Sequence, residues 1–265
     1  MFRKHFGLIR NPFDKEIAPD ELFPSHAARE AEARLNYLLE LRGIGLFTGE
    51  PGTGKTIICR KVFAALHPGL YRVSYVPNST GNALDLSKTF AWDLGLPGER
   101  NRAALYRALK TEVTRLCLEA KVRPVLLVDE AQHLHSEVLE DLRLLTNYDM
   151  DSKHRLCLIL VGHGELRRRI AMAVHEPLAQ RVVLRHHLTG LTRDEVAPYL
   201  AHLLRLAGTE LTLFEPPALE AIFQATQGLP RKVNLLAHHT LNAAALARAK
   251  IATVEHVQAA MAEVF

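Results

Sequence analysis

Eight consecutive residues, Gly49-Glu50-Pro51-Gly52-Thr53-Gly54-Lys55-Thr56, have the spacing G-x-x-x-x-G-K-T. These residue types suit one chemistry. Glycines let backbone N–H groups turn inward around a polyphosphate, and a following helix N-terminus faces the same anion. Lys55 is placed to reach the β- and γ-phosphates, and the Thr56 hydroxyl to hold Mg²⁺. The flanks fit. Ile44 to Phe47 is apolar and reads as a buried strand, and Ile57 to Leu66 reads as a helix. Strand, loop and helix in that order is the context the motif requires.

Hydrolysis of a nucleoside triphosphate also needs a carboxylate at the end of a buried strand. Pro124-Val125-Leu126-Leu127-Val128-Asp129-Glu130 supplies one. Four apolar residues in a row suit a strand buried on both faces, as parallel sheets demand. Asp129 then sits at the strand's C-terminal edge as a second Mg²⁺ ligand beside Thr56. Glu130 is placed to polarise a water against the γ-phosphate, a role worth roughly 10²–10⁴-fold in rate. Alone, two acids after a strand would read as a solvated end. With the phosphate-binding loop upstream, the Asp-Glu pair reads as an ATP-hydrolysing site rather than a kinase or a GTP switch.

The elements that must position these groups are legible in the hydrophobic pattern. Strand candidates lie near Leu46, Val73, Leu126, Ile159 and Val183, with helical patterns between them and two such patterns between Val76 and Pro124. That alternation implies an α/β fold with a parallel five-stranded sheet flanked by helices. Ser25 caps an expected helix from about His26 to Leu41. Residues 1 to 25 read as an ordered extended arm rich in Pro and aromatics. After about Leu188 the strands stop. Thr192-Arg193-Asp194-Glu195 is a capping-box pattern opening a helix to about Leu206. Pro216-Pro217 starts another, ended by Gly228, and two more are expected over about 230–247 and 253–262. The expected organisation is a nucleotide-binding core with its arm over 1–188 and a helical lid over 189–265.

The chain has 265 residues, 48% hydrophobic and 23% charged, which suits one large core with a smaller satellite. No apolar run approaches a membrane span, and the basic start has no apolar segment behind it as a signal peptide would. The three cysteines (Cys59, Cys117, Cys157) are far apart and odd in number, so neither disulfides nor a zinc site is expected, and a reducing cytoplasm is the expected compartment. The formal charge of +4 permits nucleic-acid binding without demanding it. The 14 histidines show no ligand spacing.

An α/β core followed by a small helical lid resembles an AAA+ ATPase. The resemblance covers nearly the whole chain and is closest to the ExeA-like ATPases, relatives of the transposition regulators TnsC, TniB and MuB. It rests on Phe6-Gly7-Leu8 with Asn11-Pro12-Phe13, Leu22-Phe23-Pro24-Ser25 and the phosphate-binding loop. Val128-Asp129-Glu130-Ala131-Gln132-His133-Leu134 and the run from Leu139 to Asn147 continue it. Further along come Val161-Gly162-His163-Gly164-Glu165-Leu166-Arg167, Gln180-Arg181-Val182, and Gly228-Leu229-Pro230-Arg231-Lys232-Val233-Asn234.

The resemblance implies roles. Asn11, Pro12 and Phe13 belong to the arm lining the adenine pocket. His163 stands where such proteins place a polar sensor of the γ-phosphate. Related chains carry Gly-Gln-Pro-Glu-Leu-Arg where this one has Gly-His-Gly-Glu-Leu-Arg, and a histidine's charge depends on pH. Arg231 resembles the lid arginine that touches the γ-phosphate, although it could instead bind a helix-terminal carbonyl. Arg181 resembles the arginine finger lent to a neighbouring subunit, with Arg185 nearby as the alternative. Arg167, Arg168 and Arg169 form a basic run that reads as a solvated helix face or a subunit contact.

The resemblance also implies a function. ATP and Mg²⁺ are the expected cofactors, and ATP hydrolysis to ADP and phosphate the expected reaction. The expected partners are further copies of the chain in a ring or filament, duplex DNA without strong sequence preference, and a transposase, with no membrane. The region between the second strand and Asp129 would carry the DNA contacts: Ser79, Thr80, Lys88, Arg100 and Arg102, with Arg107 and Lys110 beyond. Such groups hold phosphates without reading bases. The alternative is an ExeA-like role in secretion or envelope assembly. Relatives in that role carry a membrane helix and a peptidoglycan-binding domain after the ATPase. This sequence stops at Phe265 without them, which favours the transposition reading.

Overall fold

Five strands form one parallel sheet in a computed structural model that describes residues 2–14, 16–77, 83–98 and 101–264. They are β1 (Ile44–Gly49), β2 (Tyr71–Val76), β3 (Arg123–Val128), β4 (Cys157–Gly162) and β5 (Val182–Leu188), in spatial order β2-β3-β4-β1-β5. All four neighbouring pairs run parallel. Every residue of β1 and β4 is buried, as strands covered on both faces must be. The edge strands β2 and β5 mix buried and accessible positions. All strand C-termini therefore lie along one edge of the sheet, where ligands bind in such folds. Because β4 lies between β1 and β3, whatever follows β4 emerges between the segments following those two strands.

The helices, in chain order, are α1 (Phe2–His5), α2 (His26–Leu41), α3 (Lys55–Ala64), α4 (Ala83–Asp93), α5 (Arg102–Leu118), α6 (Ser136–Leu145), α7 (Gly164–Ile170) and α8 (Glu176–Arg181). Then come α9 (Arg193–Leu206), α10 (Pro216–Thr226), α11 (Pro230–Leu246) and α12 (Val254–Val264). The helix expected to begin at Ile57 starts at Lys55, so the Lys-Thr pair of the loop forms its first turn. Caps explain several starts. Ser25 Oγ accepts the Ala28 N–H at 3.1 Å, and Thr192 and Glu195 form the expected capping box.

The chain divides into two compact units. The sheet unit holds residues 31–50 and 55–188. In its core Phe90, Leu105, Leu109 and Val113 pack with Leu126, Val128, Leu158 and Leu160 of the central strands. The helical unit holds residues 189–265 together with 1–30 and 51–54.

The placement of the arm differs from the expected division, which grouped it with the sheet. Phe2, Phe6 and Leu8 are buried in one cluster with Val196, Tyr199, Leu203, Leu236 and Leu241. The arm also opens with a short helix and carries a 3₁₀ turn at Pro19–Glu21, so it is not fully extended. Its aromatics need an apolar partner, and the alanine-rich helices supply a close-packing face: Ala218, Ala237, Ala244 and Ala260 are nearly inaccessible. One glycine is forced here. Gly228 has φ +68°, and a Cβ on it would lie 2.0 Å from the Leu191 carbonyl oxygen.

Candidate nucleotide site

The C-terminal edge of the sheet brings together the groups that the two motifs place there. Thr56, in the first turn of α3, donates its hydroxyl proton to Asp129 Oδ2 at 2.8 Å. Asp129 follows β3 and is 5% exposed. Its other oxygen, Oδ1, accepts the Glu130 N–H at 2.9 Å. The Tyr75 hydroxyl, near the end of β2, donates to Oδ2 at 3.2 Å. Burial, the neighbouring Asp129 charge and that hydrogen bond push the Tyr75 pKa up to about 12, so the phenol keeps its proton at neutral pH. The Lys55 ammonium donates to the carbonyl oxygens of Gly49 at 2.8 Å and Glu50 at 3.0 Å. Burial raises the Cys59 thiol to about 12, so this neighbour of Asp129 is inert.

Glu130 stands in a left-handed backbone conformation, φ 52° and ψ 36°, uncommon for a residue with a side chain. Its Oε2 accepts from Gln132 Nε2 at 2.6 Å and lies 3.2 Å from His163 Nε2. His163 follows β4 and precedes α7, so the strand order sets it beside Glu130. The His163 N–H donates to Gln132 Oε1 at 3.2 Å. Arg169 is not part of a solvated face: its guanidinium donates to the carbonyls of Gln132 and of Leu134, the latter at 2.7 Å, fixing the turn after Glu130. No local signal in the sequence gives Tyr75 or Gln132 a role. Gln132 belongs to the run that follows Asp129-Glu130, and Tyr75 is the penultimate residue of β2. A side chain's aim across strands is what the sequence did not carry.

In the helical unit, Arg231 lies against the loop residue Gly52. Its backbone N–H donates to the Gly52 carbonyl at 3.2 Å. Gly52 has φ +88°, and a Cβ there would come within 2.6 Å of Arg231 Cβ, so glycine is required for this approach. Phe13 packs its ring 6.5 Å from Phe2 and 6.2 Å from His238, and Asn11 Oδ1 accepts the Phe13 N–H. Asn11 and Pro12 line a cleft together with Leu203 and Leu206 of α9.

The other candidates divide. Arg181 is ion-paired with Asp151 at 2.6 Å and also donates to the Arg143 carbonyl. Arg185 donates to the Ala179 carbonyl. Arg102 makes a two-pronged pair with Asp141 at 2.5 and 2.6 Å. Lys110 points inward, its ammonium 4.1 Å from the centre of the Tyr148 ring, and burial lowers its pKa. Lys88 is exposed on α4. Ser79, Thr80 and Arg100 lie outside the described residues. Among the described residues no His, Cys, Asp and Glu cluster could hold a metal ion by itself, and no helix is long and apolar enough to cross a membrane.

A parallel sheet in this order, with Gly52, Gly54, Lys55 and Thr56 after β1 and an Asp-Glu pair after β3, defines a P-loop nucleoside-triphosphatase fold. Residues 39–170 match the family model of the AAA domain, and the chain belongs to the AAA+ proteins. It is 36% identical over 247 residues to general secretion pathway protein A of Aeromonas hydrophila, covering 92% of this chain and 45% of that protein. It is 27% identical over 146 residues to the ATP-dependent target DNA activator B of Escherichia phage Mu, covering 55% of this chain and 43% of that one. The chain thus spans less than half the length of these curated relatives. Among solved structures, Cdc6p from Pyrobaculum aerophilum has the same fold, with a TM-score of 0.74 at 20% identity over 97% of this chain and 72% of that one.

Proposed function

We propose that this chain hydrolyses ATP to ADP and phosphate with Mg²⁺, and that ATP binding drives assembly of its copies. The observation that carries the reading is the Thr56–Asp129 hydrogen bond, with Glu130 next in sequence at the same sheet edge. A hydroxyl and a carboxylate already in contact form the donor pair that a hard, oxygen-seeking cation takes. Thr56 and Asp129 would hold Mg²⁺, which when bound neutralises charge on the phosphate oxygens. The Lys55 ammonium, now spent on two loop carbonyls, transfers its donors to the terminal phosphates. Glu130 accepts the proton of the attacking water. His163 offers a hydrogen bond to the same water or to the γ-phosphate. Arg231, tied through its backbone to Gly52, contacts the γ-phosphate, and Asn11, Pro12 and Phe13 border the adenine. Arg181 is lent to the neighbouring copy. Phosphate release measured with and without Mg²⁺, for wild type and Lys55→Ala, tests the reading; folded wild type that releases no phosphate overturns it.

The work that hydrolysis drives has two readings. In the first, the assembly coats duplex DNA without strong sequence preference and recruits a transposase to a target, a reading supported by the similarity to the phage Mu target DNA activator. Exposed Lys88 on α4 is the candidate phosphate contact with no competing partner among the described residues. In the second, the ATPase serves an envelope or secretion assembly. The longer and more identical match to general secretion pathway protein A favours it. ATP-dependent binding to duplex DNA separates the two.

A further inference from the structure

Gln132 lies two residues beyond Glu130, and no role above uses it. The residue is 4% exposed, yet both ends of its amide are engaged. Nε2 donates to Glu130 Oε2 at 2.6 Å, and Oε1 accepts the His163 N–H at 3.2 Å. A backbone N–H can only donate, so Oε1 must face His163 and Nε2 must face Glu130; the amide has one orientation. Its backbone is held as well, through the Arg169 guanidinium on the Gln132 and Leu134 carbonyls. The space it fills is reserved. A Cβ on Gly162 would come within 2.5 Å of Gln132 Oε1. Glu130 is the opposite case, a side chain 40% exposed on a left-handed backbone, with three rotatable bonds and its carboxylate held at Oε2 by the Gln132 amide and the nearby His163 ring.

The geometry points to Gln132 as a positioning residue for Glu130, rigidly linking the proton-accepting carboxylate to the junction between β4 and α7. The proposal rests on the reading of Glu130 as the base and deepens it. By occupying Oε2, the amide directs Oε1 of Glu130 toward the water. By holding the His163 backbone N–H with its other end, it ties the carboxylate to the backbone of the β4–α7 junction. A displacement of the β4–α7 junction is then transmitted to the base through a single buried amide.

The experiment measures kcat, KM and ATP affinity for Gln132→Met, Gln132→Glu and Glu130→Gln, and for Gln132→Met combined with Glu130→Gln. Methionine keeps the shape and removes both hydrogen bonds. Glutamate keeps the acceptor for His163, removes the donor to Glu130 and sets a second carboxylate oxygen against it. Both single changes at Gln132 are expected to lower kcat by about 10–100-fold, the usual effect of losing an outer-shell partner, with KM and ATP affinity unchanged. The double variant is expected to turn over no more slowly than Glu130→Gln alone, because residues acting through one group are not additive. A Gln132→Glu variant with normal kcat beside a slow Glu130→Gln overturns the proposal alone, and so does a loss that multiplies in the double variant. If Gln132→Met does not fold, Gln132→Glu carries the test by itself. Normal turnover in Glu130→Gln overturns the reading of Glu130 and the proposal with it.

Discussion

Arg181 Nη2 lies 2.6 Å from Asp151 Oδ2 within one copy of the chain, so the residue assigned to act on a neighbour is held at home. To reach another copy's phosphates it must leave both this carboxylate and the Arg143 carbonyl. Arg181→Ala should bind ATP yet hydrolyse it poorly, by on the order of 10³-fold for a lost arginine finger. Asp151→Asn should act in the other direction. A half-exposed ion pair is worth about 1 kcal/mol at most, so turnover at limiting protein concentration should rise by up to about fivefold. Mixtures of Arg181→Ala and Lys55→Ala should regain activity, since one supplies the site and the other the finger. Mixed oligomers that form and remain inactive would move the assignment to Arg185.

Lys55→Ala should lose tight ATP binding. The ammonium makes charge-assisted hydrogen bonds that neutral groups cannot replace, and its loss should weaken affinity by at least about tenfold. The fold should survive, because among the lysine's partners are the Gly49 and Glu50 carbonyls, which belong to the loop and not to the core. Calorimetric titration with ATP checks this. An unchanged affinity refutes the role given to the loop.

Much of this site was readable because its spacing is local. Gly49 to Thr56 and Asp129-Glu130 each carry their chemistry within a few residues, and apolar runs on either side announced buried strands. The five strands and the capping box at Thr192 followed from the same short-range signals. The strand order did not, since nothing in the apolar runs says that β4 lies between β1 and β3. That order decides that His163 meets Glu130. The arm was misplaced for a related reason. Phe2, Phe6 and Leu8 advertise burial but not against which surface, and the helical unit's alanines provide it. Arg102 and Lys110 read from sequence as cations available to DNA phosphates, but Asp141 and the Tyr148 ring stand beside them.

Glu130→Gln should keep ATP binding and slow hydrolysis by roughly 10²–10⁴-fold, because an amide preserves shape but cannot take the proton of the water. ATP-dependent assemblies should persist correspondingly longer. Single-turnover hydrolysis and light scattering on the same sample check both halves.

Glu195 should set an acid limit on the stability of the helical unit. Burial alone would raise its pKa, but the His26 N–H at 2.6 Å and the Thr192 N–H at 3.0 Å outweigh burial and hold it below the usual carboxylate range. A depressed folded-state pKa means the stabilisation is present above the unfolded value, near 4.3, and is lost as pH falls through the folded value. Glu195→Gln removes the charge and leaves only one amide oxygen for two donors. It should cost about 1 kcal/mol at pH 7 after allowance for solvent screening. The difference from wild type should shrink as pH falls below about 4. Urea denaturation at pH 7 and pH 3.5 checks this, and a cost that persists undiminished at acid pH would assign the effect to packing.

Duplex DNA should bind in an ATP-dependent way with weak sequence preference. A net charge of +4 leaves a lone copy few cations for phosphates, and two of the expected contacts are already committed, Arg102 to Asp141 and Lys110 to the Tyr148 ring. One copy should therefore bind poorly. An ATP-bridged assembly repeats the same few contacts along one duplex, and linked sites gain avidity without new chemistry. Affinity should then fall steeply with salt, since each neutralised phosphate releases condensed counterions. Lys88→Ala should weaken binding about equally on unrelated sequences and flatten the salt slope, and Arg102→Ala should do so less because its ion pair with Asp141 must first be broken. The molecule carries its own reporter. Trp92 is the single tryptophan, 80% exposed, and lies one turn along α4 from Lys88, so its fluorescence should change as DNA binds. The measurement is that signal together with anisotropy on two unrelated duplexes, with ATP or ADP, across a salt series. Protein that binds ATP but shows no ATP-dependent DNA binding at low salt would reject the transposition reading and leave the secretion reading in its place.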